Sequence, residues 1–136
     1  MAFLDEINDW LKTLFIGDKP NIDKSLLETG RLSSSLKTKI TKNVQWILNH
    51  KSHKLKNYKF GKTGFPPNRA DQDDYRIASY SNMFLLYEST SVDNVEELEK
   101  YYCSKYKLKK RNDNIDVNSL GKMKSIDGKY YLYFAI

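Results

Sequence analysis

The chain has 136 residues, 40% of them hydrophobic and 29% charged, with a formal net charge of +6. That length supports one domain with a single core, and no apolar run approaches the ~20 residues of a membrane-spanning helix. A lone cysteine, Cys103, excludes an internal disulfide and a cysteine-based zinc site; acids (Asp5, Glu6, Asp9) stand where a secretory signal would carry lysines, so a cytoplasmic location is expected.

In chain order, Phe3, Leu4, Ile7, Trp10, Leu11 and Leu14 recur at helical spacing, which predicts an amphipathic helix over 3–15, stopped near Gly17 and Pro20. Its aromatic stripe suits core packing or a lid on the sheet, with partner binding as the other reading. Residues 22–30 read as a short helix closing at Gly30, and Ser33-Ser34-Ser35 caps a basic helical segment over 36–42. Residues 1–42 thus form a helical N-terminal extension.

Val44-Gln45-Trp46-Ile47-Leu48 is a short apolar run rich in β-branched and aromatic residues, and it reads as a strand. A polar connection follows, and Tyr58–Gly61 is a second strand, so the two predict an antiparallel hairpin. His50 and His53 sit in its loop with no third ligand in view, which argues against a metal there and leaves contact with a phosphate open. Pro66 and Pro67 then set the entry to a helix running from Arg69 to about Tyr80, with Asn68 as N-cap and Asp71 completing a capping box. An arginine in a first helical turn faces the positive end of the helix dipole, so an anion nearby is expected.

Met83–Tyr87 is apolar throughout and reads as a third, well-covered strand. Asp93 caps the next helix, with Glu96 closing a capping box. At 100° per residue, Val95, Leu98, Tyr102 and Tyr106 share one face, and Glu99 falls at its margin. A carboxylate there needs a partner or a metal, or else bends out to water with Glu96 and Glu97. Asp127-Gly128 between two extended runs signals a C-terminal hairpin over 113–136, and the last run, Lys129–Ile136, takes a structural role. The fold class is α+β: a small, mainly antiparallel sheet of a hairpin plus a third strand, flanked by helices.

Charge is segregated. Arg31, Lys37, Lys39, Lys42, Lys51, Lys54, Lys56, Lys59, Lys62 and Arg69 follow one another with no acid among them, and Lys100–Arg111 is a second acid-free basic run. Such runs suit a polyphosphate partner through counterion release; they equally suit a solvated lysine-rich surface.

With a hairpin, Gly61-Lys62-Thr63, an arginine eight residues after the glycine, a third strand and a helix bearing Leu98-Glu99, residues 43–112 resemble the GIY-YIG nuclease family. The resemblance implies that Arg69 contacts the scissile phosphate, that Glu99 holds one Mg²⁺ or Mn²⁺, and that hairpin residues assist deprotonation of water. Val44-Gln45-Trp46 and Lys59-Phe60-Gly61 would be the two tripeptides. Trp46 and Lys59 stand where the family has tyrosines, and an indole donates but cannot accept a proton. Tyr58, adjacent to Lys59, points to the opposite strand face. The implied catalytic set is therefore Arg69, Lys59, Tyr58, Lys62 and Glu99. Lys51, Lys54, Lys56, Lys107, Lys109, Lys110, Arg111 and Asn112 would grip nucleic acid, DNA ahead of RNA. The alternative is a catalytically inactive module of the same kind that binds nucleic acid or a protein partner.

Overall fold

The computed structural model describes residues 17–51, 57–107, 112–114 and 124–136, with only the backbone of Ile77. The expected N-terminal helix over 3–15 and the segment 115–123 lie outside the described residues, as do His53, Lys54, Lys56, Lys109, Lys110 and Arg111. In order, the elements are β1 (Asn21–Asp23), α1 (Ser34–His50), β2 (Lys59–Thr63), α2 (Pro66–Ala70), α3 (Asp73–Ile77), β3 (Asn82–Ser89), α4 (Val92–Tyr106) and β4 (Tyr130–Ala135). No described helix is long and apolar enough to cross a membrane.

The four strands form one mixed sheet in the order β1-β3-β4-β2. Strands β1 and β3 are parallel, while β4 pairs antiparallel with both β3 and β2. The α+β class is as expected, a mainly antiparallel sheet with helices on it. Its composition differs in three places. Residues 22–30, expected to be helical, form β1 and an irregular run whose Glu28 bridges to Tyr87. Val44–Leu48, expected to be a strand, lies inside α1. There, Leu36, Ile40, Val44 and Ile47 make a buried stripe at helical spacing, and burial of several such side chains outweighs the small β preference of Val44 and Ile47. The partner of β2 is consequently β4 rather than residues 44–48. No C-terminal hairpin partner for β4 is present among the described residues, although Asp127 accepts from the Lys129 amide and Gly128 takes φ 79° in the expected turn.

Each face of the sheet is covered. On one face Phe60, Phe84, Leu132 and Phe134 pack beneath α1 and α4, joined by Val95, Leu98, Tyr102 and Tyr106, the predicted face of α4. On the other, Met83, Leu85, Tyr131, Tyr133 and Ala135 pack with Ala70, Tyr75 and Tyr80 from the α2–α3 segment. A register shift between Leu85 and Tyr87 turns Tyr87 to the first face, where its hydroxyl donates to the Gly30 carbonyl at 2.7 Å. Ser33 caps α1 and Ser91, not Asp93, caps α4, accepting from the Asn94 amide at 3.3 Å.

Candidate functional site

Strand β2 lies at the end of the sheet order and alternates sides along its length. Phe60 points under α4, and Lys62 follows it onto that face. Lys59 and Gly61 take the other. Directly opposite Gly61 in β4 is Tyr133. The phenol leans over the glycine so closely that a Cβ built at position 61 would lie 2.2 Å from Tyr133 Oη. Glycine here is a steric requirement for the tyrosine, not a turn device.

The helical segment after β2 starts earlier than expected. Phe65 is the N-cap and Pro66 and Pro67 occupy the first positions, where their missing N–H groups cost nothing. The expected Asn68 cap and the single helix to Tyr80 give way to two short helices, α2 and α3. Arg69 therefore falls in the last turn of α2, where a cation is favoured, and the sequence argument from a misplaced charge does not hold. Its surroundings are informative in another way. Arg69 Nε donates to Tyr133 Oη at 3.2 Å, its guanidinium lies 4.0 Å from the Tyr75 ring centroid, and it hydrogen-bonds Gln72. Asp74, an exposed carboxylate, contacts it at 3.3 Å. The Tyr75 and Tyr133 hydroxyls are hydrogen-bonded to each other. Lys59 Nζ also reaches the Tyr75 ring, at 5.5 Å from its centroid. Two cations thus share one ring, and two phenols lie between them.

Electrostatics fix the protonation of this group. Burial raises the Tyr75 hydroxyl, with Tyr133 adding to the rise and Arg69 opposing it. Tyr133 is raised too, mainly by burial, which outweighs the lowering by Arg69. Both phenols stay protonated at neutral pH; Tyr133 accepts from Arg69, and one phenol donates to the other. Burial works against the Arg69 charge, but Tyr133, Tyr75 and Asp74 outweigh it and keep the guanidinium charged. The Arg69 guanidinium is bonded to Tyr133, Gln72 and Asp74, and the tyrosines cannot take a proton near neutrality.

Glu99 is on the other face. It is 6% exposed, as a margin position of α4 permits, and Lys62 Nζ sits 3.5 Å from its Oε1. Glu96, expected to face water, instead contacts the same ammonium at 3.6 Å. Burial raises the Glu99 carboxyl, Lys62 opposes that, Glu96 adds to it and Lys59 opposes it again. Glu99 in turn raises Tyr133. The two clusters therefore feel one another around β2, although they do not share a contact. No group of three histidine, cysteine or carboxylate side chains is placed to hold a metal among the described residues.

The remaining expected residues are dispersed. Tyr58 is buried, stacked on Phe134 at 5.3 Å, so it is a core residue. Asn112 donates to the Tyr106 carbonyl at 2.7 Å and bridges to Tyr58, a structural task. Lys51 and Lys107 are exposed at the C-caps of α1 and α4. Trp46 is exposed on α1, far in register from any hairpin. Sequence reasoning missed Tyr133 and Tyr75. The alternation of Tyr131 and Tyr133 in the last run was the available sign, since it puts two hydroxyls on one strand face.

No family model, no curated protein and no solved structure matches this chain.

Proposed function

We propose that this protein is a GIY-YIG-like, metal-dependent endonuclease that hydrolyses nucleic-acid phosphodiesters, DNA ahead of RNA. The observation that carries the reading is the antiparallel pairing of β4 with β2, which sets Tyr133 opposite Gly61 with its hydroxyl on Arg69. The tyrosine expected from a hairpin strand before β2, and absent at Trp46, is then supplied by a strand that follows it.

In this reading Arg69 neutralises charge developing on the phosphate, and the buried Tyr133 hydroxyl and Tyr75 ring hold its guanidinium in place. Lys59 adds a second cation at the same ring. Residues of this chain suit a divalent ion in one respect: the Glu96 and Glu99 oxygens already converge on a cation, the Lys62 ammonium. Glu99 would hold Mg²⁺ or Mn²⁺, with waters and substrate oxygens completing the shell, as is usual for Mg²⁺. When bound, the ion would supply polarisation of a phosphate and its leaving oxygen lying at the β2 edge of the sheet, which Glu99 and Arg69 approach from opposite faces. Lys62 must then swing away from Glu99.

The same ion pair favours a second reading, a non-catalytic module of this kind in which Lys62 permanently takes the cation's place. Incubating plasmid and single-stranded substrates with Mg²⁺ or Mn²⁺ separates the two. Nicking by the wild type, lost in Arg69→Ala, Glu99→Ala and Tyr133→Phe, supports hydrolysis. A salt-dependent gel shift with no metal-dependent cleavage supports the module. Cleavage untouched by Arg69→Ala and Glu99→Ala would sink the assignment of the site.

A further inference from the structure

Two large aromatic side chains stand in solvent on the layer formed by α1 and α4, Trp46 at 43% and Tyr101 at 38% exposure. Each carries cations on its ring. Lys37 and Lys105 lie 5.3 and 5.8 Å from the Tyr101 centroid, and Lys51 lies 6.0 Å from that of Trp46, which also stacks on His50 at 4.7 Å. Between the helices, Tyr101 forms one wall of a groove of about 350 Å³; Lys37 and Lys42 with hydroxyls of α1 form the rest, and the carboxylate at its border is the exposed Glu97, 3.5 Å from the Lys37 ammonium. Helix α1 has no acidic residue in its 17 positions. The layer lies on the face of the sheet opposite Arg69 and Tyr133.

Tyr101 packs edge-on against Tyr102 and Trp46 against His50, but neither ring belongs to the buried stripes of α1 and α4, and each keeps more than a third of its surface in solvent. Exposed rings bordered by ammonium groups are what a single strand of nucleic acid needs: flat surfaces for bases and cations for the phosphates between them. A duplex hides its base faces and would leave both rings unused. A protein partner would meet a groove with hydroxyls and cations and little apolar surface beside the rings.

We propose that the α1–α4 layer is a second nucleic-acid surface, which binds a single strand by stacking bases on Tyr101 and Trp46 while Lys37, Lys42, Lys51 and Lys105 contact its phosphates. It does not rest on cleavage at Arg69. The surface would hold an unpaired strand on the Glu99 side of the sheet, on the face away from Arg69 and Tyr133.

The test uses the full chain and oligothymidylate of about twenty nucleotides, several times the shortest site sizes for such surfaces. The chain has two tryptophans, Trp10 and Trp46, so Trp10→Phe leaves Trp46 as the sole reporter. Quenching of its emission on titration, weakening steeply with salt, is the expected result. Anisotropy of a labelled oligonucleotide should weaken about tenfold for Tyr101→Ala and for Trp46→Ala, given typical stacking contributions, and little for Tyr101→Phe. Lys42→Glu should weaken binding and flatten its salt dependence. Lys24→Ala, an exposed position outside both this surface and the proposed cleavage site, should bind as the wild type. Circular dichroism checks that each variant is folded. Absence of quenching at low salt overturns the proposal, as does wild-type affinity in both Tyr101→Ala and Trp46→Ala. So does loss of binding in Lys24→Ala equal to that in Tyr101→Ala.

Discussion

Replacing Gly61 by alanine probes the contact on which the site is built. A Cβ there would meet Tyr133 Oη at 2.2 Å, Cζ at 2.3 Å and Cε1 at 2.8 Å, all inside contact distance. The ring has nowhere to retreat, because Tyr133 is 1% exposed and its hydroxyl is tied to both Arg69 and Tyr75. Overpacking of this kind costs about 1–3 kcal/mol. Displacing the hydroxyl from the guanidinium adds about 1.5 kcal/mol, the lower end for a hydrogen bond to a charged group. We expect Gly61→Ala to destabilise the fold by about 3 kcal/mol, which for a domain of this size lowers the melting temperature by roughly 10 °C. Thermal melts followed by circular dichroism measure it, and a double-mutant cycle isolates the cause. In a Tyr133→Leu background, which removes the three clashing atoms, the same glycine substitution should cost under about 1 kcal/mol. A full cost in that background, or a Gly61→Ala melt within a degree of wild type, refutes the steric argument.

The buried pair at Lys62 and Glu99 makes a second test: Lys62→Met strands a buried carboxylate and should cost about 3–5 kcal/mol by urea denaturation, while Lys62→Met with Glu99→Leu should recover most of it. Equal destabilisation of the single and double variants would show that the two side chains act separately. Cys103 is 2% exposed and its thiol is pushed up to about 12, chiefly by burial, with Glu99 adding to the rise. The native protein should therefore resist a thiol reagent at pH 8 and yield its one thiol only in guanidinium; prompt native labelling contradicts the burial. The unfolded thiol ionises near 9 and the folded one near 12, so between those values the unfolded chain holds fewer protons and stability falls as pH rises. Asn114 accepts from the Phe60 amide at 2.9 Å and donates to its carbonyl at 2.8 Å. Asn114→Ala leaves both backbone groups to find new partners and should cost about 2 kcal/mol, and an unchanged denaturation midpoint would show that water replaces the amide.

What could be read in advance followed from burial and period. Met83–Tyr87 is apolar at every position, and a strand covered on both faces has to be. The stripe of Val95, Leu98, Tyr102 and Tyr106 fixed the inner face of α4 and placed Glu99 at its edge; whether that carboxylate turned inward depended on Lys62, a residue of another element. Val44–Leu48 illustrates the reverse. Four apolar or aromatic residues in five fit a strand or a helix equally, and Ile40 and Leu36, one and two turns earlier, decide for the helix. The hairpin was inferred from closeness in sequence, whereas β2 pairs with a strand from the far end of the chain, a contact no local pattern encodes. Arg69 was singled out because Asn68 looked like a cap. Two prolines started the helix sooner, and the residue stayed at the site through Tyr133 instead.

The position of β4 has a consequence for how the protein comes into being. It is the last of the four strands to be synthesised, yet it lies between β2 and β3, which do not touch without it. Before residue 130 leaves the ribosome, the only pairing among the described strands is the three-residue one of β1 with β3, beside the isolated bridges Glu28–Tyr87 and Tyr58–Asn112. Folding must wait for contacts between distant parts of the chain, which makes it slow relative to a helical bundle of similar length. It also means that Arg69 acquires its tyrosine only at the end. A growing or truncated chain holds the arginine, the lysines and the glutamate without the strand that organises them, so the site is not assembled until the sheet has closed.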